Sequence, residues 1–153
     1  MNLQSTLDEL GIAYRVCNHP TAYTAQDLAA AEHVPGRQVI KPVVVEADGK
    51  FMMCALPACY RIDFDELKAQ LNAQYVRLAD EKTLREIFQD CELGAEPPVG
   101  RLYGLPTLMD ESLCADNHVT FQAGSHREAV TMSLAEYRRL AMPEMAHFGR
   151  PMN

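Results

Sequence analysis

One lysine in an otherwise apolar stretch is the residue with the clearest chemical use in this sequence. Lys41 lies within the aliphatic run 39–45. If the run is a β-strand, its alternation places Lys41 on the same face as Val43 and Val45. A lysine there must meet an anion, extend to an opening or lose part of its charge. The position therefore predicts a cation beside a cavity, and the alternative is a lysine whose stem packs while its head reaches water.

The residue after this lysine supports an opening in the sheet. Pro42 has no N–H to donate to a neighbouring strand, and it forces Lys41 into an extended conformation. A proline within a central strand implies a β-bulge or a strand end. We therefore expect Lys41 to lie where strand pairing is interrupted and the sheet opens to a cavity.

A second unusual segment is the loop Gly94-Ala95-Glu96-Pro97-Pro98-Val99-Gly100. Its two glycines permit tight turns, whereas its two prolines fix φ and remove N–H donors. Such a loop is stiff and presents bare carbonyl groups, which suits the wall of a small pocket and the binding of an ammonium group. The alternative is a plain surface connector. Glu96 could add an anion near the pocket or point to solvent, and we expect it to point to solvent.

Local patterns predict the elements that position these two segments. The runs on either side of Asp48-Gly49 form a hairpin whose strands are covered on both faces. Thr24, Asp63 and Ser133 are helix N-caps. The predicted helices are 2–10, 25–32, 63–71, 80–88 and 133–140, and the predicted strands are 12–17, 38–46, 51–56, 75–78, 105–109, 118–123 and 129–132. This interleaving predicts a single-domain α/β fold with a mixed sheet. Residues 1–140 form the domain, and residues 141–153 are expected to be a surface tail.

Composition excludes several classes of protein. A net charge of −7 over 153 residues is unsuited to a protein that coats duplex nucleic acid, so any nucleic-acid contact must be small and local. The five cysteines are odd in number and never in CxxC spacing, and the histidines form no HxxxH pair. These features argue against a disulfide framework and a metal site. The sequence has no membrane-length apolar run and no signal-peptide pattern, so we expect a cytoplasmic protein with no membrane contact.

Seven short motifs occur in an order that is similar to the YbaK/EbsC family, which includes the prolyl-tRNA editing domain and its free-standing relatives. The resemblance covers residues 1–140 and rests on the set as a whole. The motifs are His19-Pro20, Tyr23-Thr24, Lys41, Gly94-x-x-x-Pro98-x-Gly100, Leu105-Pro106, Asp110-Glu111-Ser112-Leu113 and Ala123-Gly124-Ser125-His126. The resemblance implies a partly barrel-like mixed sheet flanked by helices.

The resemblance also implies an activity: hydrolysis of the ester that joins a small, mischarged amino acid to the terminal ribose of a tRNA. Lys41 would hold the terminal phosphate or ribose, and the carbonyl of Gly94 would position the substrate or a water. No metal and no cofactor is implied. The partner is the tRNA 3′ end, and a synthetase could supply the remaining grip. The chain departs from common family residues at Pro42 and Pro97.

Further residues carry expected contacts with the substrate. Tyr23 would pack against the terminal adenine or belong to the core. Asp110 would be an acidic partner of the pocket or cap the following turn, and His126 would contribute directly or be exposed in its turn. Thr24, Pro98 and Gly100 complete the predicted substrate-binding set.

Two other functions remain open at this stage. The same pocket could belong to a catalytically silent module that binds a nucleotide or an aminoacyl end, or to a hydrolase of small non-tRNA esters. A thiol nucleophile is set aside, because Cys54 lies in a predicted buried strand where a thiol stays protonated.

Overall fold

The structure is a computed structural model that describes residues 3–152. It contains five α-helices and ten β-strands within those residues, together with three short 3₁₀ turns. The helices are α1 (Leu3–Glu9), α2 (Ala25–Glu32), α3 (Phe64–Leu71), α4 (Glu81–Ile87) and α5 (Leu134–Ala141). The strands are β1 (Tyr14–Asn18), β2 (Ile40–Ala47), β3 (Lys50–Pro57), β4 (Tyr60–Ile62), β5 (Val76–Leu78), β6 (Thr107–Asp110), β7 (His118–Gln122), β8 (Glu128–Ser133), β9 (Glu144–Ala146) and β10 (Gly149–Pro151).

The strands form sheets of five, three and two strands. The largest has the order β5-β2-β3-β6-β9 and is mixed, because β6 runs parallel to both β3 and β9. The three-stranded sheet β1-β8-β7 is antiparallel, and β10 pairs with β4. The predicted mixed α/β class is confirmed. A single bridge between Val39 and Thr120 joins the two larger sheets, which do not close into a barrel.

The central hairpin forms as its turn residues predict. Strands β2 and β3 pair in continuous register from Ile40–Pro57 to Ala47–Lys50. Both turn residues have positive φ, 50° at Asp48 and 84° at Gly49. This is the conformation that matches the twist of a two-residue hairpin and that an Asp-Gly pair adopts readily. The predicted N-caps also form, since the side chains of Thr24, Asp63 and Ser133 each accept the backbone N–H three residues on.

Pro42 interrupts pairing on only one edge of its strand. The expected bulge is absent from the β2–β3 ladder, in which Pro42 pairs with Ala55. On the other edge, β5 pairs only with residues 45–47, and the last contact is the Ala79 N–H to the Val44 carbonyl. The backbone groups of alternate residues of a strand point to the same edge, so the nitrogen of Pro42 points to the same edge as the backbone groups of Val44. No strand pairs with β2 at that position. The sheet therefore opens beside Pro42.

Helices cover both faces of the hairpin. Val45 packs with Leu67 of α3 on one face, whereas Val44 packs with Met53 and Phe88 at the end of α4 on the other. This double cover explains why both strands are apolar at successive positions. No helix within residues 3–152 combines the length and apolarity needed to cross a membrane.

The C-terminal residues, predicted to be a surface tail, are mostly exposed, but they also pair with the sheets and bury one aromatic side chain. Strand β9 lies parallel to β6 as the edge of the five-stranded sheet, and β10 pairs with β4. Phe148, between them, is fully buried in the core beneath α3. The segment is bound by a neighbouring strand and by core contacts that local sequence pattern does not reveal.

Candidate functional site

A cavity of about 410 Å³ lies at the unpaired edge of β2. Residues 40–42 of that strand form part of its wall, and Ala79, which follows β5, lies where the missing pairing would continue. The loops 22–25 and 93–96 and the helix α4 contribute the remaining walls. The lining residues are Tyr23, Thr24, Ala25, Ile40, Lys41, Pro42, Ala79, Glu81, Leu84, Leu93, Gly94, Glu96 and Gln122. The volume is typical of sites for small ligands.

Lys41 is half-buried on the wall of this cavity. Burial lowers the pKa of its ammonium group below the ordinary lysine value, and the electrostatic interaction with the nearby Cys59 thiol partly offsets that shift. Lys41 makes no ion pair and no side-chain hydrogen bond with any residue in the range 3–152. Its charge is therefore partly desolvated and has no carboxylate partner within residues 3–152, which suits the binding of an anionic ligand.

Gly94, in the Gly/Pro loop, lines the same cavity and has a positive φ, a backbone conformation that favours glycine. Its φ is +89°, and a Cβ atom there would lie 3.4 Å from Cε1 of His126. Hydrogen bonds fix the loop to the turn between β7 and β8: the N–H of Gly124 donates to Ala95 O at 2.9 Å, and the N–H of Glu92 donates to Gly124 O at 2.8 Å. The loop is thus held in place by backbone contacts at its start.

Glu96 does not point to solvent as expected. It is buried, with 7% of its surface exposed, and it lines the cavity. The backbone turn at Gly94 explains this placement, because it directs the Gly94 N–H to Oε1 of Glu96 at 3.1 Å. A carboxylate that accepts a backbone N–H keeps part of its hydrogen bonding when it leaves water.

Tyr23, Thr24 and His126 lie together at one side of the cavity. Tyr23 is 68% exposed at the mouth, and its ring centroid lies 4.9 Å from that of His126. Thr24 lines the cavity while its Oγ1 caps α2. His126 is buried rather than exposed; Nδ1 lies 3.1 Å from Ala22 O and Nε2 lies 2.8 Å from Leu93 O. The imidazole therefore links the loop of Tyr23 to that of Gly94, and it contacts the site from behind.

Besides His126, three predicted substrate contacts, Pro98, Gly100 and Asp110, lie outside the cavity wall, so this geometry does not support direct roles for them. The buried Pro98 accepts a hydrogen bond at its carbonyl from Tyr137 at 2.6 Å. A Cβ on Gly100 would lie 2.7 Å from Thr107 Oγ1, so this glycine permits a close approach of two chain segments. Both residues anchor the far end of the loop.

Asp110 has the capping role that was its alternative interpretation. Its side chain accepts hydrogen bonds from the backbone N–H and hydroxyl of Ser112, and its other oxygen accepts the N–H groups of Phe148 (2.8 Å) and Gly149 (2.7 Å). It is 1% exposed. Asp110 thus joins a turn to the C-terminal segment and has no free acceptor for a ligand.

Gln122 is a polar residue of the wall that sequence reasoning missed. It is the last residue of β7, follows the buried Phe121 and is 6% exposed. Its Nε2 donates to Ala22 O at 2.8 Å, whereas its Oε1 is buried with no hydrogen-bond partner. The sequence gives no sign that this glutamine belongs to the site. What marks it is the hydrogen bonding of its amide atoms, which is visible only in the structure.

Neither Cys54 nor Cys91 is an activated thiol. Burial raises the pKa of Cys54 to about 12, with a further contribution from the Asp110 carboxylate, and burial raises that of Cys91 to about 11. Neither thiol forms a thiolate readily near neutral pH. No group of three or more His, Cys, Asp or Glu side chains in the described part of the chain is arranged to hold a metal ion.

Comparison with known proteins adds independent findings. The family model described as the aminoacyl-tRNA editing domain matches residues 19–140. The multifunctional Ser/Thr-tRNA deacylase ProXp-y of Escherichia coli K12 is 24% identical, over 97% of this chain and 91% of the deacylase. A proline–tRNA ligase of Thermosipho africanus is 30% identical over 81 residues, and the match spans 53% of this chain but only 14% of the ligase.

A solved structure shares the fold. It belongs to a protein proposed as a trans-editing enzyme for prolyl tRNA synthetase, and it superposes with a TM-score of 0.85 at 23% identity, over 97% of this chain and 94% of that one.

Proposed function

The chain belongs to the aminoacyl-tRNA editing domain family, and from this premise we propose that it is a trans-acting hydrolase that removes a small mischarged amino acid from tRNA. The bond broken is the ester between the amino acid and the terminal ribose. One observation carries the assignment of the site: Lys41, a cation without a partner among the described residues, shares a cavity with the Gly94 loop.

Lys41 is the group that we assign to the phosphorylated end of the RNA. A single-stranded tRNA end presents phosphate oxygens, and an ammonium is a point-charge partner for them. The overall charge of −7 opposes binding to a large RNA surface. Contact confined to the 3′ end avoids most of that repulsion, because only the terminal nucleotide need enter the cavity.

Hydrolysis requires an oxygen nucleophile, and the substrate or solvent can supply it. In the proposed step, an oriented water attacks the acyl carbon, the bond from that carbon to the ribose oxygen breaks, and the ribose oxygen takes the proton. Alternatively, the vicinal ribose hydroxyl first accepts the acyl group, and water then releases it. In both routes the Gly94 loop positions the acyl group, so the protein acts by orientation and not as a covalent nucleophile.

Tyr23 at the cavity mouth is the proposed platform for the terminal adenine. Its ring is exposed and supported from behind by His126. Stacking of a base on an aromatic side chain contributes about 1–3 kcal/mol and tolerates any base. Adenine stacking and the contact with Lys41 together would hold the nucleotide while the acyl group reaches the loop.

The likeness to part of a proline–tRNA ligase supports a functional relation to a synthetase. We infer that a synthetase could bind the body of the tRNA, because this acidic chain is unsuited to do so. We propose that the enzyme acts in the cytoplasm, where aminoacyl-tRNAs are made and used.

Deacylation of a panel of mischarged tRNAs tests the proposal. The panel consists of tRNAs that carry alanine, cysteine, serine and threonine, incubated with the wild type and with Lys41→Ala. We expect the wild type to release at least one of these amino acids and Lys41→Ala to lose most of that activity, because the terminal nucleotide is no longer held.

The outcomes separate three functions. A wild type that is inert toward every tRNA of the panel contradicts the deacylase assignment. If it nevertheless binds an aminoacyl-adenosine analogue tightly, the site belongs to a silent binding module. Hydrolysis of free small esters that is insensitive to tRNA would indicate an esterase of another substrate class.

A further inference from the structure

Glu96 is an anion buried in the proposed site without a cation beside it. Resting on the proposed function, we propose that Glu96 binds the α-ammonium group of the aminoacyl substrate, so that the enzyme accepts only tRNAs whose amino acid has a free amine. N-acylated aminoacyl-tRNAs, which include those that carry a peptide, would be excluded by the same contact.

The surroundings of Glu96 are those of a receptor for a positive charge. One carboxylate oxygen accepts the Gly94 N–H, and the other makes no hydrogen bond to residues 3–152. No Lys, Arg or His side chain of the described range forms an ion pair with it, although Lys41 lines the same cavity. A buried carboxylate that lacks a cation is costly, and a cationic ligand would offset that cost.

Gln122 is a polar residue of the same wall, but its Nε2 donates to Ala22 O and its Oε1 is closed to solvent, so neither atom is assigned to the ligand. An ammonium carries three N–H donors and no acceptor. One of these donors would pair with the Glu96 oxygen that makes no hydrogen bond to residues 3–152, whereas an acylated nitrogen is uncharged and would not replace the missing cation.

The positions of Lys41 and Glu96 suggest how the substrate is oriented in the cavity. Lys41 belongs to β2, whereas Glu96 belongs to the Gly/Pro loop, which forms a different part of the cavity wall. The aminoacyl-adenosine end of a charged tRNA carries a negative 5′-phosphate on one side of the ribose and a positive amine beyond the ester on the other side. Binding the phosphate near Lys41 and the amine near Glu96 would place the ester bond between them, which is the part of the substrate that must be fixed for attack.

Two amide-linked analogues test the inference without requiring turnover: 3′-deoxy-3′-(L-seryl)amino-adenosine 5′-phosphate and the same compound with an acetylated α-amine. We expect the wild type to bind the free-amine analogue roughly 10- to 100-fold more tightly, the range for a charged hydrogen-bonded contact that is partly desolvated. Glu96→Gln keeps the acceptor for the Gly94 N–H but removes the charge. We expect it to bind both analogues with similar affinity.

Glu81→Gln is the matched control, because Glu81 also lines the cavity but is exposed and ion-paired with Arg85. It should keep the wild-type preference for the free amine. Equal binding of the two analogues by the wild type, binding of neither, or an unchanged preference in Glu96→Gln would overturn the role of Glu96. A preference that depends on Glu96 in a protein that cleaves no tRNA would support the receptor and contradict only the deacylase proposal.

Discussion

Replacement of Lys41 by methionine should make the protein more stable and less able to bind a phosphorylated ligand. Methionine has a similar length but no charge, and Lys41 is half-buried with no anionic partner in the described chain. Full burial of a methionine side chain stabilises by about 1.5–3 kcal/mol, so half-burial gives about 1 kcal/mol. For a chain of this size, this corresponds to a rise in Tm of about 2–4 °C.

The effect on stability should depend on pH in a defined direction. Burial lowers the pKa of Lys41 in the folded state below its unfolded value, so the unfolded state binds the proton more tightly. The cost to the folded state is therefore fully present at neutral pH and is removed as the pH rises through the folded pKa toward the ordinary lysine value. Urea unfolding should show the advantage of Lys41→Met at pH 7 and a smaller one at pH 10. Exposed Lys50→Met is the control, expected within about 0.5 kcal/mol of wild type.

The same variant should lose affinity only for the phosphorylated ligand. Opposite unit charges 4 Å apart interact by about 1 kcal/mol in water and by about 4 kcal/mol at an effective dielectric constant of 20. A half-buried lysine lies between these limits, so we expect roughly a 10- to 100-fold loss for the seryl-amino-adenosine 5′-phosphate and little loss for the analogue without phosphate. Titration calorimetry measures both. A less stable Lys41→Met, or an equal loss for the two analogues, would refute the reasoning.

Two further variants test the loop and the C-terminal anchor. Gly94→Ala should lower stability by about 1–2 kcal/mol because of its positive φ, and should reduce deacylation more than tenfold because the strain falls on the loop that positions the acyl group. Gly104→Ala, with φ +74° but open space around its Cβ, should show a similar loss of stability in urea unfolding and normal activity. Asp110→Asn should lower the free energy of unfolding by about 2–4 kcal/mol in the same assay, since an amide cannot accept all the hydrogen bonds that join Asp110 to Phe148 and Gly149. Activity per folded molecule should remain near wild type. A large loss of activity in a fully folded variant would indicate that Asp110 takes part in the site.

Elements with a local cause could be predicted from the sequence. The Asp48-Gly49 turn fixes the central hairpin through the φ values of two adjacent residues, and Ser133 caps α5 through a contact three residues away. Strand β9 has no such cause. Its residues are mostly exposed and do not alternate in polarity, and they become a strand only because β6, more than thirty residues earlier, offers a parallel edge.

The site divides in the same way. Lys41 and Gly94 were predicted to share a pocket because each has an unusual residue type in its own segment and both fit a family pattern. Glu96 was misplaced because a charged residue beside two prolines resembles an exposed turn. Its burial depends on the reversal at Gly94, which brings a backbone N–H to the carboxylate. Likewise, the orphaned oxygen of Gln122 depends on a contact with Ala22, one hundred residues earlier.

Pro42 connects the fold to the proposed chemistry. Strand β5 pairs with β2 only as far as Val45, and the last backbone hydrogen bond on that edge is accepted by Val44. The next residue whose backbone points to that edge is Pro42, which has no N–H to donate. An extension of β5 along this edge would find no N–H donor at Pro42 and could form only one of the two hydrogen bonds of a paired residue, which favours the end of pairing here. The cavity lies where this pairing ends. Pro42 therefore helps to end the sheet where Lys41 and Glu96 line one cavity, and the shape of the site follows from a missing hydrogen bond in the sheet.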